Sequence, residues 1–304
     1  MTTSNPFGAG RSSRLAPWLG FSPALALFLV FALVPSLGVV VLSFTDISGI
    51  PGVPWQWVGA ANYRTFFSGP QAGENWALLL RTLEFCFAVT VVQNALALVL
   101  AVVLNSRPRG STFYRSVIFL PVVLGVTVIG LIWQLFFNPT GGPAASVWGW
   151  FGAESSFLGD PDLAFPIIIA VQIWASLGYS MMIFMSGLQA VPADLYEAAR
   201  VDGAGPWQVF RRVTVPMVAP AITANVLISI IGALQTFQLI FVLTGDKPFT
   251  SVLALKIFTL GFTSDGSVIQ QQGLASAVSM IQFVLVGIIA LASLAYLRRR
   301  ETQL

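Results

Sequence analysis

The side chains of this sequence that could do chemistry are amides, hydroxyls and aromatic rings placed inside long apolar runs. In one run, four of them follow the spacing i, i+2, i+4 and i+7, which predicts that they cover one side of a helix: Gln172, Trp174, Ser176 and Tyr179. A second run holds Ser229, Gln235 and Thr236, which could converge with them. Amides and hydroxyls donate and accept hydrogen bonds, and aromatic faces pack on apolar ring faces, so the set suits a neutral polyol. The alternative is hydrogen bonding between helices, worth about 0.6 kcal/mol per contact in membranes.

Several kinds of active site are excluded by residue types that the sequence lacks. It contains no histidine, which excludes Ser-His and Cys-His catalysis and histidine-ligated metals. Cys86 is the single cysteine, so the chain forms neither an internal disulfide nor a cysteine metal cluster. The two lysines, Lys247 and Lys256, do not follow glycine, and a Gly-Lys-Ser/Thr phosphate loop is therefore missing. The chain does not bind ATP through that motif.

The elements that position these groups are predicted to be membrane-spanning helices. Of the 304 residues, 56% are hydrophobic and 9% are charged, and the mean hydropathy is +0.82, whereas about 25% of an average soluble domain is charged. A span needs about 20 mostly apolar residues. Six runs meet that requirement: 17–44, 77–104, 114–137, 163–189, 215–243 and 274–297. The predicted fold class is therefore an all-α membrane protein with six transmembrane helices, the first of them a retained anchor rather than a cleaved signal peptide.

The distribution of basic residues predicts the orientation of the spans. Eleven of the 15 basic residues lie on one side of the predicted spans. They precede the first span, follow the sixth, or lie in the region where span two joins span three or span four joins span five. The other four lie on the opposite side with eight of the 12 acidic residues. Because Lys and Arg are enriched in cytoplasmic loops, both termini are predicted to be cytoplasmic. The chain then divides into a tail 1–16, a membrane domain 17–297 and a tail 298–304.

Charged groups are scarce at the depth of the membrane centre. An ion there costs about 2.5–3.5 kcal/mol on insertion scales, and the central parts of spans three to six contain none. Near the outer end of span two, Glu84 follows Arg81 by three residues. These two residues could form an ion pair close to the interface, or Glu84 could belong to a proton relay.

The cytoplasmic loop 191–220 has more local structure than a connector requires. Asp194 and Glu197 have the spacing of a capping box with Asp194 as the N-cap. This predicts about two helical turns over residues 195–202. Gly203 then supplies the left-handed residue that ends a helix.

A second short helix is predicted to follow in the same loop, with Pro206 in its first turn. Three apolar residues of this second helix share one face: Trp207, Phe210 and Val213. In the first helix, Ala198 and Ala199 are small enough for another protein to approach closely. The loop could therefore be a docking site on another protein, or an amphipathic hairpin that lies on the bilayer surface.

The loop resembles the EAA loop of the membrane subunits of ABC importers. The resemblance rests on Glu197-Ala198-Ala199, on Gly203 four residues later, and on Val213-x-Val-Pro216, where the family usually has Ile-x-Leu-Pro. Other segments are similar to permeases of the maltose and glycerol-3-phosphate type: 21–25, 42–46, 58–63, 114–121, 131–133 and 188–192. Two places depart from that pattern, namely Arg81, where Asn is usual, and 244–248, where a Gly-Gly-Pro run is commoner.

The resemblance implies a type I ABC importer permease fold in a bacterial inner membrane. Two such permeases would dock on an ATPase dimer that binds ATP and Mg²⁺, and an extracytoplasmic solute-binding protein would deliver the substrate. The second permease would be a homologue of this chain, membrane lipid would surround both, and no nucleic acid or cofactor of its own is implied for this chain.

The resemblance also assigns roles to individual residues. Glu197 would contact the ATPase, while Ala198, Ala199 and Gly203 would permit close packing. Asp202 would set the loop geometry, and Phe210 would hold the second helix before Pro216 begins span five. Substrate would bind midway along spans four and five, where the path residues predicted above lie: Gln172, Trp174, Ser176, Tyr179, Ser229, Gln235 and Thr236.

Several functions compete with a carbohydrate importer. An ABC permease for a glycerol-phosphate ester, an amino acid or a polyamine is the first alternative. An ion-coupled secondary transporter would show inverted repeats and buried ionisable groups, and neither is visible in the sequence. A membrane enzyme would need a nucleophile, an acid–base pair or a metal site, so we expect a transport subunit and not an enzyme.

Overall fold

A computed structural model of the chain describes residues 11–106, 108–152, 155–263 and 271–301, with side chains described between residues 20 and 299. Within these ranges every regular element is a helix, and the one β-type contact is an isolated antiparallel bridge between Thr45 and Trp57. The predicted all-α class is confirmed. Several positions used in the predictions lie outside the described residues: 1–10, Arg107, Glu154, Asp265 and 302–304.

Fourteen α-helices account for most of the described residues. In chain order they are α1 (Arg11–Phe28), α2 (Val34–Leu42), α3 (Ala61–Ser68), α4 (Ala72–Asn105), α5 (Ser111–Val123), α6 (Val126–Phe136), α7 (Pro143–Gly149), α8 (Ala164–Gln189), α9 (Ala193–Val201), α10 (Pro206–Val209), α11 (Val215–Gln235), α12 (Gln238–Thr244), α13 (Leu253–Phe262) and α14 (Gln272–Glu301). Two π-helical turns, Leu29–Leu33 and Phe210–Thr214, join α1 to α2 and α10 to α11 without interruption. A short 3-10 turn covers Phe157–Gly159.

Five of the described helices are long and apolar enough to cross a membrane, and there are six if the pair α5 and α6 counts as one span. The first candidate, Gly20–Leu42, has no buried residue in its apolar window. Its second part, α2, packs on α14, and most of its other side chains are exposed. The last helix, α14, continues to Glu301, beyond the predicted end of span six.

Residues 114–137 and 215–243, each predicted as one span, are each divided into two helices. α5 and α6 meet at an angle of 102°, because Leu124 and Gly125 adopt extended backbone angles. α11 ends at Gln235, and the extended Thr236 separates it from α12. The second halves of the two broken spans, α6 and α12, pack on each other. Gly130 permits this contact, since a Cβ there would lie 2.5 Å from a side-chain carbon of Val242.

The core lies around α4 and α8, which pack on each other and on α11. Large side chains from all three helices are fully buried there, including Phe85, Ile168, Met181, Phe184 and Leu234. α5 packs closely on α8 at Gly178, where a Cβ would lie 2.5 Å from the Ile118 carbonyl oxygen. Small residues at such crossings let helix backbones approach, which is how helices associate in lipid.

Candidate functional site

A cavity of about 280 Å³ lies beside the bend between α5 and α6. Its polar lining comes from α8, where Gln172, Ser176 and Tyr179 face it together. The Gln172 side-chain amide donates to the Ser176 hydroxyl at 3.0 Å. The rest of the lining is apolar and includes Leu124 of the bend and Leu239 of α12. The two breaks in the helices therefore help to shape this cavity.

A smaller cavity of about 140 Å³ lies between α4, α8 and α11. The same three residues, Gln172, Ser176 and Tyr179, line it, so the polar side of α8 is shared by both cavities. Ser229 of α11 joins them here. The structure thus brings together four of the seven residues that the sequence predicted for a substrate path.

A network of amides and hydroxyls forms one wall of the smaller cavity. Gln93 of α4 donates to the Ser180 hydroxyl at 2.7 Å. The Asn225 amide nitrogen donates to the side-chain oxygen of Asn94 at 2.8 Å, and Asn94 donates to the Ser229 hydroxyl at 3.0 Å. The side-chain oxygen of Asn225 is buried and has no protein partner. It is an acceptor that a ligand hydroxyl or a water molecule could satisfy.

Sequence reasoning did not place Asn225 or Ser180 at the site. A signal for Asn225 was present, since it precedes Ser229 by four residues and therefore shares its helix face. Ser180 follows Ser176 by the same interval. Both residues are fully buried, and polar residues at that depth are hydrogen-bonded in folded proteins.

The other three predicted path residues are placed differently. Trp174 lies two positions after Gln172, which is about 200° around the helix, and its ring meets the Trp133 ring edge-on at 5.4 Å. The expectation that Trp174 shares one side of α8 with its neighbours is therefore wrong. Gln235 and Thr236 lie at the broken end of α11, where the Thr236 hydroxyl donates to the Gly232 carbonyl at 2.8 Å. None of the three lines either cavity.

On the side of the molecule that carries loop 191–220, α9 forms the first of the two expected short helices. It begins two residues earlier than predicted, at Ala193, with Pro192 as the N-cap residue and no side-chain capping bond. The prediction that Asp194 is the N-cap is wrong. Asp194 lies instead inside the first turn, where a carboxylate interacts favourably with the helix dipole.

The end of α9 has a complete glycine cap. Gly203 has φ +76°, the left-handed conformation that glycine adopts without strain. Its N–H donates to the Arg200 carbonyl at 3.0 Å, and the Ala204 N–H donates to the Ala199 carbonyl at 2.9 Å. These two bonds form a Schellman motif. Asp202 precedes the glycine as the C-cap residue, so the predicted helix end is confirmed.

The second short helix is the beginning of the span that follows it. Pro206 is in the first turn of α10, and the π-helical turn Phe210–Thr214 connects α10 to α11. The result is one helical unit from Pro206 to Gln235. The rings of Trp207 and Phe210 stack at 5.5 Å, as expected for residues on one face. The end of the loop is therefore continuous with the helix that carries Asn225 and Ser229.

The loop presents a mixed surface to its surroundings. Glu197 and Ala198 are exposed, whereas Ala199, Phe210 and Pro216 are partly buried. Large apolar side chains are also exposed, most of all Val201 and Trp207. Behind this surface, Phe210 lines a cleft of about 520 Å³ that separates the two short helices from the end of α4. An exposed carboxylate, small residues and apolar side chains together form a surface suited to contact with another protein.

Comparison with known proteins identifies a family and several relatives. Residues 93–303 match the family described as binding-protein-dependent transport system inner membrane component. The trehalose/maltose transport system permease protein MalF of Thermococcus litoralis is 30% identical over 278 residues, which is 91% of each chain. The multiple sugar-binding transport system permease protein MsmF of Streptococcus mutans is 30% identical over 286 residues, covering 93% of this chain and 96% of the relative.

A solved structure shares the fold. It is a bacterial alginate ABC transporter in complex with a periplasmic protein that holds an alginate pentasaccharide. One of its chains superposes with a TM-score of 0.82 at 22% identity, covering 95% of this chain and 96% of that one. The overall arrangement of helices is therefore one that another membrane protein also adopts.

Proposed function

Because the chain belongs to the family of binding-protein-dependent transport system inner membrane components, we propose that it is a permease subunit of an ATP-driven carbohydrate importer. In this proposal it forms half of the translocation path, and a second, homologous permease forms the other half. The observation that carries the proposal is the helical unit Pro206–Gln235. It connects an exposed loop to a wall of the polar cavity, so a movement of the loop would also move that wall of the translocation path.

The chemistry of the cavities supports a neutral carbohydrate as the substrate. Their polar lining consists of amides and hydroxyls, and no charged side chain is among the described residues that line them. Groups of this kind donate to and accept from sugar hydroxyls. A glycerol-phosphate ester would call for a cationic partner in the path. The names of the relatives, which transport trehalose, maltose and multiple sugars, point the same way.

Loop 191–220, here called the coupling loop, is proposed to dock on an ATPase subunit that binds ATP and Mg²⁺. Glu197 supplies an exposed carboxylate on α9, and Ala198 and Ala199 leave room for close approach. The Schellman cap at Gly203 gives the turn between the two short helices a defined geometry. Closure of the ATPase around ATP would move this loop and tilt α11, because the glycine cap fixes the turn between α9 and α10 and α10 continues into α11.

The second permease is proposed to cover the first helix. An 18-residue window within Gly20–Leu42 has a mean hydropathy of 2.8, and none of that window is buried in this chain, which leaves a long surface for another subunit or for lipid. The proposed topology has six spans, with the bent pair α5 and α6 counted as one. Both termini are in the cytosol of a bacterium, and the solute-binding protein docks on the opposite side of the inner membrane.

The proposal is tested by reconstitution in proteoliposomes. The chain is combined with its partner permease, its ATPase and its binding protein, and uptake of labelled maltose and trehalose is measured with and without ATP on the ATPase side. We expect accumulation that requires both ATP hydrolysis and the binding protein, with no inhibition by glycerol phosphate. Accumulation by vesicles that contain this chain alone, driven by a proton or sodium gradient, would instead establish a secondary transporter.

A further inference from the structure

Residues 245–252, here called the outer strap, connect α12 to α13 on the side of the molecule away from the coupling loop. Two adjacent residues of α4, Arg81 and Thr82, form hydrogen bonds that hold the strap and its junction with α13. The guanidinium of Arg81 donates through Nη1 to the Pro248 carbonyl and, at 3.3 Å, to the Ser251 carbonyl. The next residue, Thr82, accepts a hydrogen bond from the Leu253 N–H at 2.9 Å. Arg81 therefore binds the backbone of the strap and not the carboxylate of Glu84, which is exposed.

A third attachment holds the other edge of the strap. The Lys247 ammonium donates to the Leu158 carbonyl of the 3-10 turn at 3.1 Å and lies 5.7 Å from the centre of the Phe249 ring. Between the attachments, Thr250 is fully buried, and its hydroxyl lies 2.9 Å from that of Thr244. The strap thus bridges α4 and the 3-10 turn.

The strap contains no helix or strand of its own. A turn orders residues 247–251, since the N–H groups of Thr250 and Ser251 donate to the Lys247 carbonyl, and the attachments fix this turn to the rest of the molecule. A guanidinium is planar and can donate to two carbonyls at once, whereas an ammonium is a point charge on a flexible stem. Arg81 is the attachment that joins two carbonyls of the strap to a rigid helix. The two places where the sequence departs from the permease pattern, Arg81 and residues 244–248, are in direct contact here.

We propose that Arg81 is a positioning residue that holds the outer strap in the conformation recognised by the solute-binding protein. The inference rests on the proposed function, since it requires a binding protein that docks on this side. The strap exposes Asp246 and Pro248 there while Thr250 faces the interior. Loss of the Arg81 contacts would release these exposed residues from their positions and weaken docking, with the cavity of α8 and α11 left intact.

The test compares Arg81→Gln with Arg64→Gln in the reconstituted transporter. Arg64 is an exposed arginine of α3, so its replacement removes the same charge from the same side without touching the strap. We expect Arg81→Gln to raise the half-saturating concentration of binding protein about tenfold, since hydrogen bonds from a charged group are strong enough for that factor. The maximal uptake rate should stay close to that of the unmodified protein. Arg64→Gln should change neither quantity, and Arg81→Lys should restore part of the affinity.

A second measurement follows the strap itself. Thr250→Cys in a Cys86→Ala background should react slowly with an impermeant maleimide, because position 250 is buried, and several times faster once Arg81→Gln is added. An unchanged half-saturating concentration, or a loss of maximal rate alone, would overturn the proposal. Failure of the unmodified transporter to respond to any binding protein would count against the proposed function, whereas a normal response in Arg81→Gln counts against this inference only.

Discussion

Replacement of Gly203 separates a backbone requirement from a packing requirement in the coupling loop. Gly203 has φ +76°, and a Cβ built there meets nothing within 4 Å. In this chain, the cost of a side chain is therefore conformational and not steric. An L-residue in the left-handed region costs about 1–2 kcal/mol, and asparagine, which adopts this region more readily, costs less. Gly203→Ala should consequently disturb the loop more than Gly203→Asn, although asparagine is the larger residue.

The expected magnitude follows from that strain. A cost of about 1 kcal/mol shifts an equilibrium roughly fivefold, since about 1.4 kcal/mol is a factor of ten. The relevant equilibrium is between the capped loop, with its Schellman bonds to Ala199 and Arg200, and loops in which α9 and α10 have changed their relative direction. We expect Gly203→Ala to lower ATP-driven uptake about fivefold and Gly203→Asn to lower it less than twofold.

The assay is sugar uptake by proteoliposomes that contain equal amounts of each variant, with ATPase co-purification measured in parallel. If glycine is needed because the ATPase surface approaches it closely, the order reverses and asparagine becomes the worse substitution. An observed order of Gly, Ala, Asn in decreasing activity would refute the argument from backbone conformation. It would support the close-packing role that the resemblance assigns to this residue.

Three further substitutions test other parts of the structure. Glu197→Lys should abolish uptake and reduce ATPase co-purification, although the amount of the chain in the membrane stays normal. Asp162→Lys, on the opposite side, should change neither uptake nor co-purification. Normal uptake with the ATPase bound would show that Glu197 does not contact the ATPase. Trp174→Ala should weaken uptake without affecting ATPase association, because it removes an aromatic pair with α6 worth about 0.5–1.5 kcal/mol. Unchanged uptake kinetics would exclude Trp174 from the substrate path. Gly178→Ala should lower the unfolding temperature in detergent, since its Cβ would lie 2.5 Å from the backbone of α5 and overpacking costs about 1–3 kcal/mol. Gly287→Ala is the matched control, because a Cβ there meets nothing within 4 Å, and it should leave the unfolding temperature unchanged.

Features that depend on neighbours in the chain were predicted well. The apolar runs mark the helices because a span must bury about 20 residues in lipid, and the structure has helices at all six positions. The left-handed Gly203 and the first-turn Pro206 were also predicted, since each follows from the residue's own backbone preference. The N-cap at Pro192 was missed because Asp194 has the composition of a cap without its geometry.

Features that depend on distant contacts were not predicted. The helix breaks at Leu124 and Thr236 lie inside apolar runs, and the hydropathy of each run does not change at the break. The helices that follow the two breaks, α6 and α12, pack on each other. The ring contact between Trp174 and Trp133 joins two helices and was not predicted, whereas the position of Trp174 about 200° from Gln172 follows from helical periodicity alone. The pairing expected for Arg81 and Glu84 was replaced by bonds to carbonyls 167 and 170 residues along the chain.

The amino-acid sequence by itself determined that this protein is a helical membrane protein with a glycine-capped helix in the loop 191–220, because apolar length and local backbone preferences act within a few residues. Only the tertiary structure decided which polar groups meet. Asn94 and Asn225 are 131 residues apart and bond at 2.8 Å, and Gln93 finds Ser180 across 87 residues. Each of these groups could equally have bonded elsewhere within lipid. The packing of α4, α8 and α11 selected one set of partners and thereby made a cavity.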